Sequence, residues 1–226
     1  MDDELLETCQ NGIRDLNQKH PEKGGDNFFL LHRPRKWNET EKIWMGYERK
    51  RGKLEDLNRY LTGKDKDVFS LIEGRAESLN GVCYVITLDA DTMMARDSAW
   101  QLVGTMAHPL VQPKYDTRLG RVTRGHGILQ PRVDSGLSGA NRSHYARMSA
   151  TDIGIDPYTR VSSDVYQDLF DEGSLIGKGV YEVKTFDAAL GGRVPDNKIL
   201  SHDLLEGCVM RSGLVNDIKF YEDPPT

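Results

Sequence analysis

Two carboxylates, Asp89 and Asp91, follow directly on an apolar run in the segment YVITLDADTMM at 84–94. The run favours a buried strand, and acids that end such a strand need a partner because burial penalises their charge. Side chains two positions apart on a strand point to the same face, so both acids can converge on one ligand. Two anions held together repel each other unless a cation lies between them, and such oxygen ligands suit Mg²⁺ or Mn²⁺.

The acidic pair has three interpretations. One is a metal site that binds the diphosphate of a nucleotide sugar and neutralises the leaving group. The second is a phosphohydrolase of the haloacid-dehalogenase type with Asp89 as nucleophile, although Met93 stands where that class has Thr or Val. The third is a capping turn, because Asp and the following Thr92 both cap helices well.

Two helix starts carry further groups that suit this chemistry. In KRGKLEDLN at 50–58, Lys53 adds positive charge where a helix dipole already favours anions, and a solvated basic helix face is the alternative. In LSHDLLEG at 200–207, Asp203 can take the proton of an attacking hydroxyl group, or it can be a first-turn acid that satisfies the helix dipole. His202 can contact substrate or orient that acid.

A glycine-rich turn lies in GSLIGKGVY at 173–181. Glycines let backbone amides approach a sugar or a phosphate closely, although a lone glycine motif of this kind has low specificity.

The amino-acid composition and net charge argue against several classes of protein. The 226 residues, 38% hydrophobic and 29% charged, are typical of a globular protein, and the net charge of -5 argues against nucleic acid as a partner. No apolar run approaches the roughly 18 residues of a membrane span, and no secretory signal opens the chain. Three cysteines without metal-ligand spacing predict free thiols in a reducing compartment.

Hydrophobic periodicity predicts the elements that must position the candidate residues. Helices are expected near 3–18, 50–61, 98–106, 162–171 and 201–212, and strands near 27–32, 82–88, 127–131, 180–183 and 214–221. Alternation of strands and helices indicates an α/β sheet covered by helices. The polar segment 134–154 is either a mobile functional loop or a disordered surface excursion.

Eight sequence blocks resemble one protein family, in the same order along the chain. They are FFLLHR (28–33), WMGYERKRGKL (44–54), GTMAHPL (104–110), GILQPRV (127–133), GIDPY (154–158), SDVYQDLF (163–170), GKGVY (177–181) and LSHD (200–203). Together they resemble the glucosyltransferase domain of cyclic β-1,2-glucan synthases, very large bacterial inner-membrane proteins of the NdvB and ChvB type. The element at 50–58 also resembles the one that precedes the acidic pair in processive β-glycosyltransferases.

The resemblance implies an inverting, metal-dependent glucosyltransferase that uses UDP-glucose and Mg²⁺ or Mn²⁺ to extend a β-1,2-glucan. Asp89 and Asp91 would hold the metal, and Asp203 would be the catalytic base. The residues that would contact the donor are Lys53, Asp89, Asp91, Gly177, Lys178, Gly179 and His202. Beside this transferase, the phosphohydrolase and a non-catalytic glucan-binding module stay as the other hypotheses.

The resemblance also implies a nucleotide-diphospho-sugar transferase (GT-A, Rossmann-like) fold, with a mostly parallel sheet and helices on both faces. Residues 1–226 would be a single catalytic domain that is incomplete at both ends, soluble, and inactive in isolation. It would begin after the first strands and end before a Q-x-x-R-W-like segment. Its partners would be UDP-glucose, the growing glucan and the remainder of a multidomain membrane protein, with this domain on the cytoplasmic face.

Overall fold

The structure, a computed structural model, describes residues 2–135, 143–144, 164–199 and 202–222. The chain divides into two compact units, Met1–Val82 with Pro195–Lys198, and Cys83–Val194 with Ile199–Thr226. Within the described ranges, no helix is both long and apolar enough to cross a membrane. The single domain expected over 1–226 stays a prediction.

The first unit combines two helices with short strands. Its elements are α1 (Asp2–Lys19), β1 (Leu30–His32), β2 (Lys36–Asn38), β3 (Ile43–Met45), α2 (Arg49–Leu61), β4 (Leu71–Glu73) and a 3-10 helix (Ala76–Leu79). Strand β1 pairs antiparallel with β4, and β2 pairs antiparallel with β3. These elements confirm the helices predicted near 3–18 and 50–61.

The first turn of α2 is fixed by a buried arginine and a glycine. Arg51 is buried and forms ion pairs with Glu48 at 2.8 Å and with Glu55 at 3.2 Å. Gly52 has no room for a side chain, because a Cβ there would lie 2.1 Å from the carbonyl oxygen of Tyr47. Lys53 is the next residue, and its position on the exposed side of α2 follows from this packing.

The second unit contains the candidate residues other than Lys53. Its elements are β5 (Tyr84–Thr87), β6 (Thr92–Met94), α3 (Ser98–Ala107), β7 (Lys114–Asp116), β8 (Arg121–Arg124), β9 (Ile128–Ser135), α4 (Val165–Phe170), β10 (Gly179–Glu182), α5 (Val183–Leu190), α6 (His202–Met210) and β11 (Gly213–Glu222). Five strands form one sheet in the order β5-β10-β9-β11-β6, and β7 pairs with β8.

The direction of the strands corrects one expectation. The α/β class is confirmed, but the sheet is mixed rather than mostly parallel. Only β9 and β11 run parallel, whereas β10 is antiparallel to both of its neighbours and β6 is antiparallel to β11. The resemblance implied a mostly parallel sheet, whereas β10 enters between β5 and β9 in the opposite direction to both.

Helix α3 and the middle strands build the core of the second unit. Leu102 and Met106 of α3 are completely buried and belong to one cluster with side chains from β9, β10 and β11. The strand residues of this cluster are Leu129, Val133, Val180, Ile218 and Phe220. Because these strands are anchored in the core, the start of β10 and the end of β11 have fixed positions, and both ends contribute to the candidate site.

Two parts of the second unit differ from the sequence prediction or lie beyond it. Helix α5 was not predicted; it starts directly after β10, where the side chain of Glu182 accepts a hydrogen bond from the backbone N–H of Thr185. Of the loop candidate 134–154, residues 134–135 end β9, and the remainder lies outside the described residues except for 143–144.

Candidate functional site

The acidic pair lies in a turn and not on a strand. Strand β5 ends at Thr87 and β6 begins at Thr92, and the carbonyl oxygen of Asp89 accepts a hydrogen bond of 3.1 Å from the backbone N–H of Thr92. Asp89 is partly buried and Asp91 is exposed. The expectation that strand alternation brings both side chains to one face is therefore wrong, because the pair follows the end of an edge strand.

The connection that carries the acidic pair is short. Strands β5 and β6 are the two edges of the five-stranded sheet, yet only residues 88–91 join them. The connection passes the start of β10, where Lys178 precedes the first residue of that strand. This path explains why Asp89 meets a residue that lies far away in the sequence.

Lys178 is a buried cation between two carboxylates. Its Nζ lies 3.2 Å from Oδ2 of Asp89 and 2.6 Å from Oε1 of Glu222. Burial lowers the pKa of Lys178, but the hydrogen bonds and charges of Glu222 and Asp89 outweigh burial and raise it above its ordinary value. The ammonium group is therefore charged at neutral pH, and contact of Lys178 with the donor stays a prediction.

Glu222 also contacts the turn that carries the acidic pair. Its Oε1 accepts a hydrogen bond of 2.7 Å from Oγ1 of Thr92, the residue opposite Glu222 in the pairing of β11 with β6. Glu222 is buried. It therefore fixes both Lys178 and the end of the acidic turn.

The residue before Lys178 touches the candidate base. Gly177 has φ +80°, and a Cβ at this position would lie 2.6 Å from Oδ1 of Asp203. Oγ1 of Thr87, at the end of β5, lies 3.3 Å from the carbonyl oxygens of both Gly177 and Gly179 and can donate to either. The turn at 177–179 thus brings the surroundings of Asp89 and Asp203 together through adjacent residues.

A glycine is required at position 179 for a different reason, the close packing of two strands. Its φ is +149°, and a Cβ would lie 2.2 Å from the carbonyl oxygen of Leu129 on the neighbouring strand β9. The second glycine of the motif therefore permits close strand packing. Donor contact by Gly177 and Gly179 stays a prediction.

The candidate base belongs to a small polar cluster at the start of α6. Nδ1 of His202 lies 3.1 Å from Oε1 of buried Glu206 and 3.3 Å from Oδ1 of Asp203. Because an ionised carboxylate only accepts hydrogen bonds, the bond to Glu206 requires the proton on Nδ1. Oδ1 of Asp203 is a buried atom that accepts no hydrogen bond from the described residues.

The same three side chains have ligand atoms within 4.8 Å of one another, which is a spacing that a metal ion can bridge. The hydrogen bond between His202 and Glu206 already uses the atoms that a cation would need. We therefore interpret the cluster as one that positions Asp203.

Asp89 and Asp91 are candidate oxygen ligands for a hard divalent cation, and metal binding there stays a prediction. The carboxylates of Asp89 and Asp91 supply oxygen ligands within one turn, and Mg²⁺ in proteins uses one or two carboxylates together with phosphate oxygens. With Glu222 and the ammonium of Lys178 included, the cluster keeps two negative charges. One divalent cation would balance that charge.

Sequence reasoning missed two carboxylates of this site. Glu206 has a local signal, since it lies four residues after His202 and therefore on the same helix face. Glu222 has none, because the closing strand was expected to end near 221 and its contacts with Thr92 and Lys178 are long-range. Lys53, on α2 in the first unit, keeps its donor role as a prediction.

Comparison with known proteins agrees with the family resemblance. No protein-family profile matches the chain. The chain is 46% identical over 225 residues to cyclic beta-(1,2)-glucan synthase NdvB of Rhizobium meliloti (strain 1021), an alignment that covers 99% of this chain and 8% of that protein. The resemblance inferred from the ordered blocks is confirmed, and the phosphohydrolase alternative is not favoured. The chain is therefore similar, along nearly its whole length, to one short segment of a cyclic β-(1,2)-glucan synthase.

Proposed function

We propose that this chain is part of the catalytic domain of an inverting glucosyltransferase that extends a β-1,2-glucan from UDP-glucose. One observation carries the proposal most directly. Gly177 lies against Asp203, the proposed base. The adjacent Lys178 pairs with Asp89, a proposed ligand of the metal ion that binds the donor. The identity with a glucan synthase supports the reaction class.

In the proposed reaction, a hydroxyl group of the acceptor glucan attacks C1 of the glucose in UDP-glucose. The new C1–O bond forms as the bond from C1 to the diphosphate breaks, and UDP leaves with that electron pair. Asp203 takes the proton of the attacking hydroxyl. The buried Oδ1 of Asp203, which accepts no hydrogen bond from the described residues, supports this assignment.

The donor side of the proposal uses Asp89, Asp91 and Lys178. Asp89 and Asp91 would hold Mg²⁺ or Mn²⁺, which would neutralise the charge that develops on the leaving diphosphate. Lys178 adds a positive charge beside Asp89, and Glu222 fixes that charge in place. We further propose that Lys53 lies near the donor and that the domain has the GT-A fold; the mixed α/β architecture of the second unit is compatible with that fold.

The proposal includes the setting of the chain. Because the matched segment is 8% of a larger protein, the remainder of a multidomain membrane protein is the proposed partner, with this segment on the cytoplasmic face.

Binding of Mn²⁺ in the presence of UDP tests the donor site without requiring turnover. The 226-residue chain is titrated with MnCl₂ with and without UDP, free Mn²⁺ is followed by electron paramagnetic resonance, and the melting temperature is measured in parallel. We expect UDP-dependent uptake of Mn²⁺ and a higher melting temperature. Asp89→Asn with Asp91→Asn should remove both effects, whereas Asp217→Asn, at an exposed acid on β11 of the same unit, should not.

Two results would contradict the proposal. One is the absence of UDP-dependent uptake of Mn²⁺ by the unsubstituted chain, and the other is uptake that persists in the Asp89/Asp91 variant. Asp203→Asn separates the roles of the acids, because loss of a base should leave Mn²⁺–UDP binding unchanged. Loss of binding in that variant would assign Asp203 to the donor site instead.

A further inference from the structure

An open pocket of the second unit adjoins the helix that carries Asp203. It measures about 240 Å³ and lies between α4, residues 172–175 and α6. Tyr166 and Phe170 of α4 line one side, and Leu204 of α6 lines the other. None of these residues has a role in the donor chemistry described above.

The pocket begins about one helical turn from the candidate base. Gly207, which lines the pocket, follows Asp203 by four residues on α6. Residues 175–177 run alongside this part of α6, from the pocket towards Asp203. A Cβ on Gly207 would meet Leu175, and a Cβ on Gly177 would meet Asp203. The lining residue Gly207 therefore lies about 6 Å along the helix axis from Asp203, since each residue of a helix rises about 1.5 Å.

The lining suits the apolar face of a sugar ring. The rings of Tyr166 and Phe170 have centroids 6.4 Å apart and an interplanar angle of 31°, so they form a continuous aromatic surface. Tyr166 is 46% exposed and Phe170 is 65% exposed, so both rings are accessible to a ligand. Ser174 and Glu172 add polar atoms beside the rings, which is the combination of apolar walls and few polar groups found in small-ligand sites.

The charged groups of the pocket bear on which of the two proposed substrates, UDP-glucose or the glucan, it binds. Of the described residues that line it, none is Lys, Arg or His. Glu172 is acidic, and its Oε1 is ion-paired with Arg121 and lies 3.7 Å from Nε of Arg211. A diphosphate would be desolvated there without a cation among the lining residues to balance its charge, which is unfavourable. A neutral glucan carries no such penalty, and its hydroxyl groups can bond to Glu172 and Ser174.

We propose that this pocket is the acceptor subsite, which holds a glucose unit of the β-1,2-glucan and directs its terminal hydroxyl group towards Asp203. The assignment rests on the proposed transferase function and adds the substrate side that the acidic turn does not explain. Tyr166 and Phe170 bind the face of the glucose ring, and Leu204 closes the opposite side.

Binding of a short linear β-1,2-linked gluco-oligosaccharide to the 226-residue chain tests the subsite. We expect saturable binding by titration calorimetry, weakened about tenfold by Phe170→Ala, a change of about 1.4 kcal/mol that lies within the range for an aromatic contact. Tyr166→Ala should act in the same direction. Leu169→Ala is the matched control, since Leu169 lies on the same helix and is 70% exposed but does not line the pocket, and it should change the affinity by less than about twofold.

Protection of a thiol provides a second measurement. Cys208 lines the pocket, and all three cysteines of the chain are free and exposed. The oligosaccharide should slow alkylation of Cys208 by a maleimide and leave the rates at Cys9 and Cys83 unchanged. Mass spectrometry of the three cysteine peptides gives the three rates from one sample.

Three results would overturn the assignment. They are the absence of saturable binding up to about 10 mM, equal losses in Phe170→Ala and Leu169→Ala, and alkylation of Cys208 that the oligosaccharide does not slow. The Asp89/Asp91 variant should bind the oligosaccharide normally, so a failure of the donor site and a failure of this subsite give different results.

Discussion

The carboxylate of Asp203 occupies the space that a side chain at Gly177 would fill. A Cβ on Gly177 would lie 2.6 Å from Oδ1 and 3.1 Å from Oδ2 of Asp203, and the backbone there has φ +80°. The position therefore excludes a side chain for two independent reasons, conformation and space. This relationship connects the glycine turn to the candidate base.

Gly177→Ala should destabilise the protein through both effects. We expect a loss of about 3 kcal/mol in the free energy of unfolding, measured in urea. An alanine is strained at positive φ, and its Cβ would displace the carboxylate of Asp203. Gly192→Ala is the control for conformation alone, since Gly192 has φ +68° with no atom within 4 Å of its Cβ position, and it should cost about 1 kcal/mol. Equal losses in the two variants would show that the contact with Asp203 has no energetic effect.

Lys178→Met should leave buried Glu222 without its cation. Both side chains are about nine-tenths buried, so the expected loss of stability is about 3 kcal/mol, measured by urea unfolding. Combining it with Glu222→Gln should restore most of the loss, because the unpaired charge is then removed. The exposed Lys184→Met should stay within about 0.5 kcal/mol of the unsubstituted chain, and a similar loss there would contradict the role given to Lys178.

Asp164→Ala should loosen α4, the helix that carries the aromatic wall of the pocket. Oδ1 of Asp164 accepts hydrogen bonds from the backbone N–H groups of Tyr166 at 2.8 Å and Gln167 at 3.2 Å. We expect a loss of about 1 kcal/mol and faster amide hydrogen exchange in α4, with partial recovery in Asp164→Ser. Asp168→Ala, at an exposed acid in the same turn, should cost no more than about 0.5 kcal/mol. Exchange rates that do not change in Asp164→Ala would contradict the capping role.

Acidification should destabilise the protein through His126. Burial lowers the pKa of this imidazole below its ordinary value, and the hydrogen bond of Nδ1 to the carbonyl oxygen of Arg211 opposes the shift only in part. The unfolded chain therefore binds the proton first, and stability falls as the pH decreases through about 6.5 towards the lower folded-state pKa.

Melting temperatures between pH 7.5 and 5.5 test this dependence on His126. His126→Gln should reduce the decrease on acidification, and His20→Gln, at an exposed histidine, should leave it unchanged. An unchanged decrease in the His126 variant would assign the acid sensitivity to other groups.

Local sequence patterns predicted helices and strands, but they did not predict the contacts between these elements. Helical spacing of apolar residues located α1, α2 and α3 because burial of one helix face imposes that spacing directly. Helix α5 was missed because Glu182 ends a strand and caps a helix at the same position, so no loop residues separate the two elements. Strand direction has no local signature, and the mixed sheet was therefore mispredicted.

The same difference between local and long-range signals applies to the candidate site. Asp89, Asp203 and Lys178 were chosen as candidates because each lies in a short motif whose residue types suit the chemistry, and their roles stay predictions. Glu222 was missed because its role depends on pairing with β6 and on Lys178, both distant in the sequence. From the sequence, Asp89 and Asp91 were expected at the end of a strand, with side chains that follow strand alternation, whereas they lie in a turn that closes at Thr92.

The turn at 177–179 has a consequence for how this protein can change by mutation. A single peptide bond, between Gly177 and Lys178, separates the backbone against which Asp203 packs from the side chain that pairs with Asp89. Inserting or deleting one residue there would shift both acids at once, so neither could be adjusted without the other. Substitutions on the exposed face of α4 carry no such coupling, and variants with altered acceptor preference are best sought there.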